Sequence, residues 1–144
     1  MKTEKLQRKV IHVDEEFKTF IDKIESEGPF SGSAHHEIFM MALVLGFNDG
    51  KRKEIKKRLS GGFFREDTLT DDERALLCAI ATADQNDLSI IKEENVDERY
   101  NIAEEYATRG FIILKDKLAL SGTFQKKLEL ELREKLKEIK NIEF

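Results

Sequence analysis

A chain of 144 residues has the size of one ordinary domain, able to bury about 70% of the surface its unfolded form exposes, with no room for a second independent core. Apolar residues make up 40% and charged residues 38%, so a modest core is wrapped in densely solvated faces, and a single proline with eight glycines favours long helices. The lone Cys78 excludes an internal disulfide, the N-terminus MKTEKLQRK lacks the apolar run of a secretory signal, and no apolar run approaches the ~20 residues that cross a bilayer. A cytoplasmic protein without a membrane partner is expected.

The net charge of -4 hides an asymmetry. Residues 1–60 carry 12 Lys/Arg against 10 Asp/Glu, and residues 61–144 carry 13 against 19. Two segments hold most of the contrast: Lys51 to Arg58 has six cations and one glutamate, and Asp84 to Glu98 has six carboxylates and one lysine. Such patches steer partners or face each other.

In chain order, residues 1–8 are polar, and Lys9 to Val13 is a short β-capable piece. Asp14 is placed to cap a helix whose face is Phe17, Phe20, Ile21 and Ile24, closed by Gly28-Pro29. A central helix is predicted from Ser33, with ten consecutive apolar or small residues from Ile38 to Phe47 and a stop at Asn48-Asp49-Gly50. Lys51 to Leu59 is predicted as a short basic helix before Ser60-Gly61-Gly62, with Phe63 and Phe64 anchoring the far side of that loop. Thr70 and Glu73 fit a capping box for a helix from Asp71 to about Ala83, whose body ALLCAIATA is expected to pack on the Ile38–Phe47 helix and bury both Leu76 and Leu77. Leu88 to Ile91 is expected to drop two isoleucines inward.

From Asp97 to about Leu118 the residues Tyr100, Ala103, Tyr106, Ala107, Gly110, Phe111, Leu114 and Leu118 make a helical stripe, and Gly46 and Gly110 suit close helix contacts. Thr123 is placed to cap a last amphipathic helix over 123–144, in which Phe124, Leu128, Leu132, Leu136 and Ile139 share a face, with Glu129/Arg133 and Glu131/Lys135 pairs on its wet side. That face needs a cover, and a homodimer built on Leu128, Leu132, Leu136 and Ile139 is expected. The fold class is therefore all-α, a single compact domain of five or six helices with one short N-terminal strand.

Candidate chemistry is sparse. His35-His36-Glu37 lacks the i,i+4 histidine pair of a zinc helix and reads as the polar first turn of a helix. Cys78 lies in an apolar run that raises a thiol's pKa, and Asp71, Asp72, Glu104 and Glu105 are explained by helix dipoles and surface roles. Gly28 to Ser33 before a helix lacks the lysine and the spacing of a phosphate loop. No enzyme activity, cofactor or metal is expected. The strongest signal is Lys51, Arg52, Lys53, Lys56, Lys57 and Arg58, which together are able to neutralise several phosphates, although no aromatic residue is interleaved for base stacking. The alternative for the same cations is a solvated surface, or docking to the chain's own acidic segment.

Several pieces resemble the accessory proteins of DNA phosphorothioation (Dnd-type) modification and restriction systems, the dnd system-associated proteins. They are Gly28-Pro29-Phe30, the Ile38–Phe47 run closing on Gly50-Lys51-Arg52, Asn86-Asp87-Leu88 with Ile91, and Ala103-Glu104-Glu105-Tyr106-Ala107 followed by Gly110 and Ile113-Leu114. The resemblance spans residues 10–115. It departs at Thr108-Arg109, where another glycine looks usual, and the long tail from Phe124 lies outside it. It implies a place in defence or modification of DNA, with DNA or other proteins of such a system as partners. The functional expectation is a non-enzymatic accessory protein binding DNA or a partner protein through the basic patch. Its alternatives are a protein-protein adaptor without nucleic-acid contact and a ribbon-helix-helix-like DNA-binding regulator, the latter from the order of the Lys9–Val13 strand and two following helices.

Overall fold

The computed structural model describes residues 10–27, 30–121 and 132–138. In chain order they form strand β1 (Val10–Ile11), a 3-10 turn (Glu15–Phe17) running into helix α1 (Lys18–Ser26), helix α2 (His35–Asp49), strand β2 (Phe64–Arg65) and a 3-10 turn (Glu66–Thr68). Helix α3 (Asp71–Gln85), two 3-10 turns (Leu88–Ile91 and Glu93–Asn95) and helix α4 (Val96–Ser121) follow, and residues 132–138 are helical again. The fold is all-α with a short N-terminal strand, as the helical periodicities predict.

That strand has its partner within the chain. β1 pairs antiparallel with β2, Val10 opposite Arg65 and Ile11 opposite Phe64. A ribbon-helix-helix dimer needs this ladder to run to a second copy, so the geometric basis of that likeness is lost. Just beyond β1, the Asp14 carboxylate accepts the Glu16 N–H at 3.2 Å and caps the first 3-10 turn, and Phe17, Ile21 and Ile24 turn inward from it. Gly28-Pro29 lie outside the described residues.

Helix α2 begins one residue later than the Ser33 cap predicts. Ala34 is its N-cap, and because alanine carries no acceptor, only half of a capping box forms: the Ala34 N–H donates to the Glu37 carboxylate at 2.8 Å. Gly50, at φ +82°, ends the helix in the left-handed conformation that glycine adopts without strain. The core is one cluster centred where α2 crosses α4. At the crossing the backbones nearly touch: a Cβ on Gly46 would stand 1.8 Å from the Tyr106 carbonyl oxygen, and one on Gly110 would stand 1.7 Å from that of Ala42. Around this contact Phe47 meets Tyr106 edge-on with centroids 5.3 Å apart, and Phe17 stacks on Phe111 at 5.5 Å, pairs worth about 0.5–1.5 kcal/mol each beyond their burial. The predicted α4 stripe from Tyr100 to Leu118 is buried throughout.

Helix α3 begins at the predicted box, with Glu73 N–H donating to Thr70 Oγ1 at 3.1 Å and Thr70 N–H to the Glu73 carboxylate at 2.9 Å. Two expectations about it are corrected. It leans on α4 and the Leu88–Ile91 turn instead of forming the main pair with α2, because the glycine-mediated α2–α4 approach already fills that side of α2. One face only is covered: Leu77, Ile80 and Ala81 are buried while Leu76 is 40% exposed, beside exposed Ala75 and Ala79. A run apolar on nearly all sides carries no mark of which side the neighbours take. Likewise Ile90 alone drops inward from the following turn, and Ile91 stays out.

Thr123, Phe124, Leu128, Glu129, Glu131 and Ile139 lie outside the described residues. Leu132 and Leu136 belong to the helical stretch 132–138 and are exposed.

Candidate nucleic-acid interface

Released from α2 by Gly50, the six cations follow in an extended segment, not in the short helix predicted for them. A helix over 51–58 would set Arg52 against Lys56 and Lys53 against Lys57 at i,i+4, each a destabilising like-charge pair, with Ile55 as its only apolar side chain. The extended form instead gains backbone partners. Lys53 N–H donates to the Glu105 carbonyl at 3.0 Å, Lys56 N–H to Asp14 Oδ2 at 2.7 Å, and Leu59 N–H to the Val13 carbonyl at 3.0 Å. Glu15 N–H donates in turn to the Lys57 carbonyl at 2.9 Å, and Asp14 bridges Arg58 in antiparallel fashion. The returning chain turns at Ser60-Gly61-Gly62, where Gly62 at φ +80° lies so close to Val10 that a Cβ would sit 2.8 Å from its Cβ.

The side chains divide. Arg52, though exposed, folds back on the chain: Nη1 lies 3.1 Å from Asp84 Oδ2, Nε 3.4 Å from Glu105 Oε1, and the guanidinium stands 6.0 Å over the Tyr106 ring. Tyr106 donates its hydroxyl to Asp84 Oδ1 at 2.6 Å. Burial and this bond push the phenol up to about 12. Burial also raises the Glu105 carboxyl, against the lowering effect of Arg52, with Glu54, Glu98 and Asp84 adding repulsion of the same sign as burial. One member of the basic cluster therefore does meet the chain's own acidic segment, at Asp84. The rest point to solvent. Lys51, Lys53, Lys56, Lys57 and Arg58 are exposed, and among the described residues only Lys57 of these five has an ion pair, a surface contact with Glu15 at 3.4 Å. Arg58 borders a recess of about 160 Å³ shared with Glu54, Ile55, Asn101, Glu104 and Glu105.

The other candidates take structural positions. His35 stacks on Phe63 and contacts Glu25, whereas His36 turns to Glu73 with Nδ1 2.9 Å from the carboxylate, so the adjacent imidazoles diverge and tie α2 to different neighbours. Glu104 is buried and accepts the His12 N–H at 2.7 Å, which fastens the end of β1 to α4. Asp71 and Asp72 are exposed in the first turn of α3, and Cys78 is half-buried in its middle. Glu66 was not singled out by any motif, yet it receives the Tyr100 hydroxyl at 2.6 Å and Arg74 Nη1 at 2.9 Å. Burial alone would raise its carboxyl; those two donors together hold it below the usual value. Glu66 is spaced like an ordinary surface acid, and only its partly buried contact with these donors separates it from the rest, while the capping position of Asp14 is legible and its bond to Lys56 is not.

The family described as DNA sulphur modification system-associated protein 4 matches residues 11–143. The chain belongs to that family. No curated protein and no solved structure matches it. The family match runs well beyond residues 10–115 and takes in the C-terminal stretch, so the tail is part of the family and not an addition to it. Thr108 and Arg109, the point of departure, are both engaged: Thr108 Oγ1 donates to the Glu104 carbonyl at 2.7 Å, and Arg109 Nε to Asp49 at 2.8 Å. The family's description makes the chain an accessory of a DNA sulphur modification system. Among the described residues no helix is long and apolar enough to cross a membrane.

Proposed function

We propose that the chain is a non-enzymatic accessory protein that holds duplex DNA by its phosphates, with Lys51, Lys53, Lys56, Lys57 and Arg58 as the contacts and Arg52 as the clamp that keeps their loop in place. The observation that supports this reading is a cation-rich segment held open by hydrogen bonds to Asp14, Glu15 and α4 while its charged ends stand in solvent. Eight extended residues reach up to about 25 Å, the axial rise of about seven base pairs. The family's association with a DNA-modifying system supplies the setting, and partner proteins of that system are the other class of contact. The working unit is a homodimer held by the C-terminal stripe.

Counterion release tests the DNA contact. Five neutralised phosphates give a slope of about -4.5 for log affinity against log salt. Fluorescence anisotropy with a labelled duplex should show such a slope, reduced by about 3 units in Lys51→Ala/Lys53→Ala/Lys56→Ala. Absence of binding at low salt, or a slope that ignores the triple substitution, refutes the assignment and leaves a protein-only adaptor.

A further inference from the structure

The Leu88–Ile91 turn presents two large apolar side chains to solvent on a rigid mount. Leu88 is 70% exposed and Ile91 47%, whereas Ile90 between them is buried and anchors the turn. A 3-10 helix has 3.0 residues per turn, so Leu88 and Ile91 eclipse on one edge, about 6 Å apart along the axis. The backbone that carries them is fixed on several sides. Asp87 Oδ1 accepts the Ser89 N–H at 3.0 Å, Asn95 Nδ2 donates to the Ser89 carbonyl at 2.8 Å, and Arg99 Nη1 donates to the carbonyls of Ile90 at 2.9 Å and Lys92 at 2.8 Å. Asn86-Asp87-Leu88 and Ile91 are among the residues that carry the family resemblance, yet Leu88 and Ile91 stand outside the core of the described residues. An apolar pair held out by that much hydrogen bonding is organised before any partner arrives.

A second exposed apolar pair lies on the same chain. Leu132 (53%) and Leu136 (57%) stand i,i+4 on the helical stretch 132–138, also about 6 Å apart at 1.5 Å rise per residue. The net charges are opposite in sign: Leu88 and Ile91 sit within the Asp84–Glu98 segment of six carboxylates and one lysine, of which Asp84 is already paired with Arg52, and residues 132–138 carry Arg133, Lys135 and Lys137 against Glu134 and Glu138, a net charge of +1. We infer that the C-terminal helix of one copy docks its Leu132/Leu136 edge on the Leu88/Ile91 edge of a second copy, and that the contact is made twice, reciprocally, about a two-fold axis. The inference rests on the homodimer proposed above and names the surface that covers its stripe.

Sedimentation equilibrium of the full chain and of two exposed-site double variants decides it, with far-UV circular dichroism confirming that each remains folded. Wild type should have twice the chain mass, and Leu88→Glu/Ile91→Glu and Leu132→Glu/Leu136→Glu should each have the chain mass. Mixed in equal amounts, the two variants should associate again at raised concentration, more weakly than wild type, because the intact helix of the first still meets the intact turn of the second while the other of the two contacts stays broken. A monomeric wild type overturns the homodimer and this contact together. A dimer that survives Leu88→Glu/Ile91→Glu leaves the homodimer standing and overturns only the assigned surface, since the stripe then pairs elsewhere. Two monomeric variants that fail to recombine overturn it as well.

Discussion

A methyl group at Gly46 probes the α2–α4 crossing directly. Its Cβ would stand 1.8 Å from the Tyr106 carbonyl oxygen, 2.7 Å from the carbonyl carbon and 3.1 Å from the Gly110 nitrogen. Heavy atoms rest at about 3.5 Å, so the helices must separate by about 1.5 Å or more. The obstacle is helical backbone, which cannot swing aside as a flexible side chain would. Overpacking of this kind costs about 3 kcal/mol or more, and separation also loosens the Phe47–Tyr106 contact. Alanine's better helix propensity returns about 1 kcal/mol. Gly46→Ala should therefore lose about 2–3 kcal/mol in urea unfolding followed by circular dichroism, with an unchanged m-value and a midpoint temperature lower by about 8 °C. Gly50→Ala is the control: nothing lies within 4 Å of its Cβ, so only the strain of φ +82° is felt, about 1–2 kcal/mol. A Gly46→Ala protein as stable as wild type, or more so, would show that the helices do not approach each other here.

Two further outcomes follow from burial. Leu77→Asp places an unpaired carboxylate at a site 2% exposed and should cost about 3 kcal/mol or more, while Leu76→Asp on the outer face should stay within about 1 kcal/mol; equal losses in thermal unfolding refute the orientation of α3. The two tyrosines, in a chain without tryptophan, are readable by phenolate absorbance. Both should titrate near about 12 in the folded protein, Tyr100 through burial and its bond to Glu66 and Tyr106 through burial and its bond to Asp84. The fold favours the neutral phenol, so this stabilisation is complete below the ordinary value near 10 and is lost as pH rises through about 12. A titration midpoint at the ordinary value in the folded state contradicts both hydrogen bonds.

Periodicity was a good guide where one side of a helix had to be chosen from alternating chemistry. The Tyr100–Leu118 stripe and the Thr70/Glu73 box are local patterns, and the structure has both where the residues place them. Gly46 and Gly110 also stood out, because small residues amid large ones mark a close approach. Leu76 faces outward for the opposite reason: in ALLCAIATA every side is apolar, so orientation is decided by the neighbour and not by the run. The basic segment shows a third case. Its composition was legible, but its backbone path depends on Asp14, Val13 and the Glu105 carbonyl, partners some 40 to 50 residues away that no local pattern reports. The pairing of Arg52 with Asp84 and the outward stance of Leu88 and Ile91 have the same origin.

Asp14 joins two parts of the chain that are far apart in sequence, the first turn and the basic segment. Its carboxylate holds the amide of Glu16 at the start of the first turn and that of Lys56 in the basic segment, and its backbone bridges Arg58. Opening at Asp14 therefore loosens the first turn and the basic segment at the same time, and protection of the Glu16 and Lys56 amides from exchange depends on the one carboxylate. A change at Asp14 is therefore felt in the basic segment some 40 residues away as well as in the turn it caps.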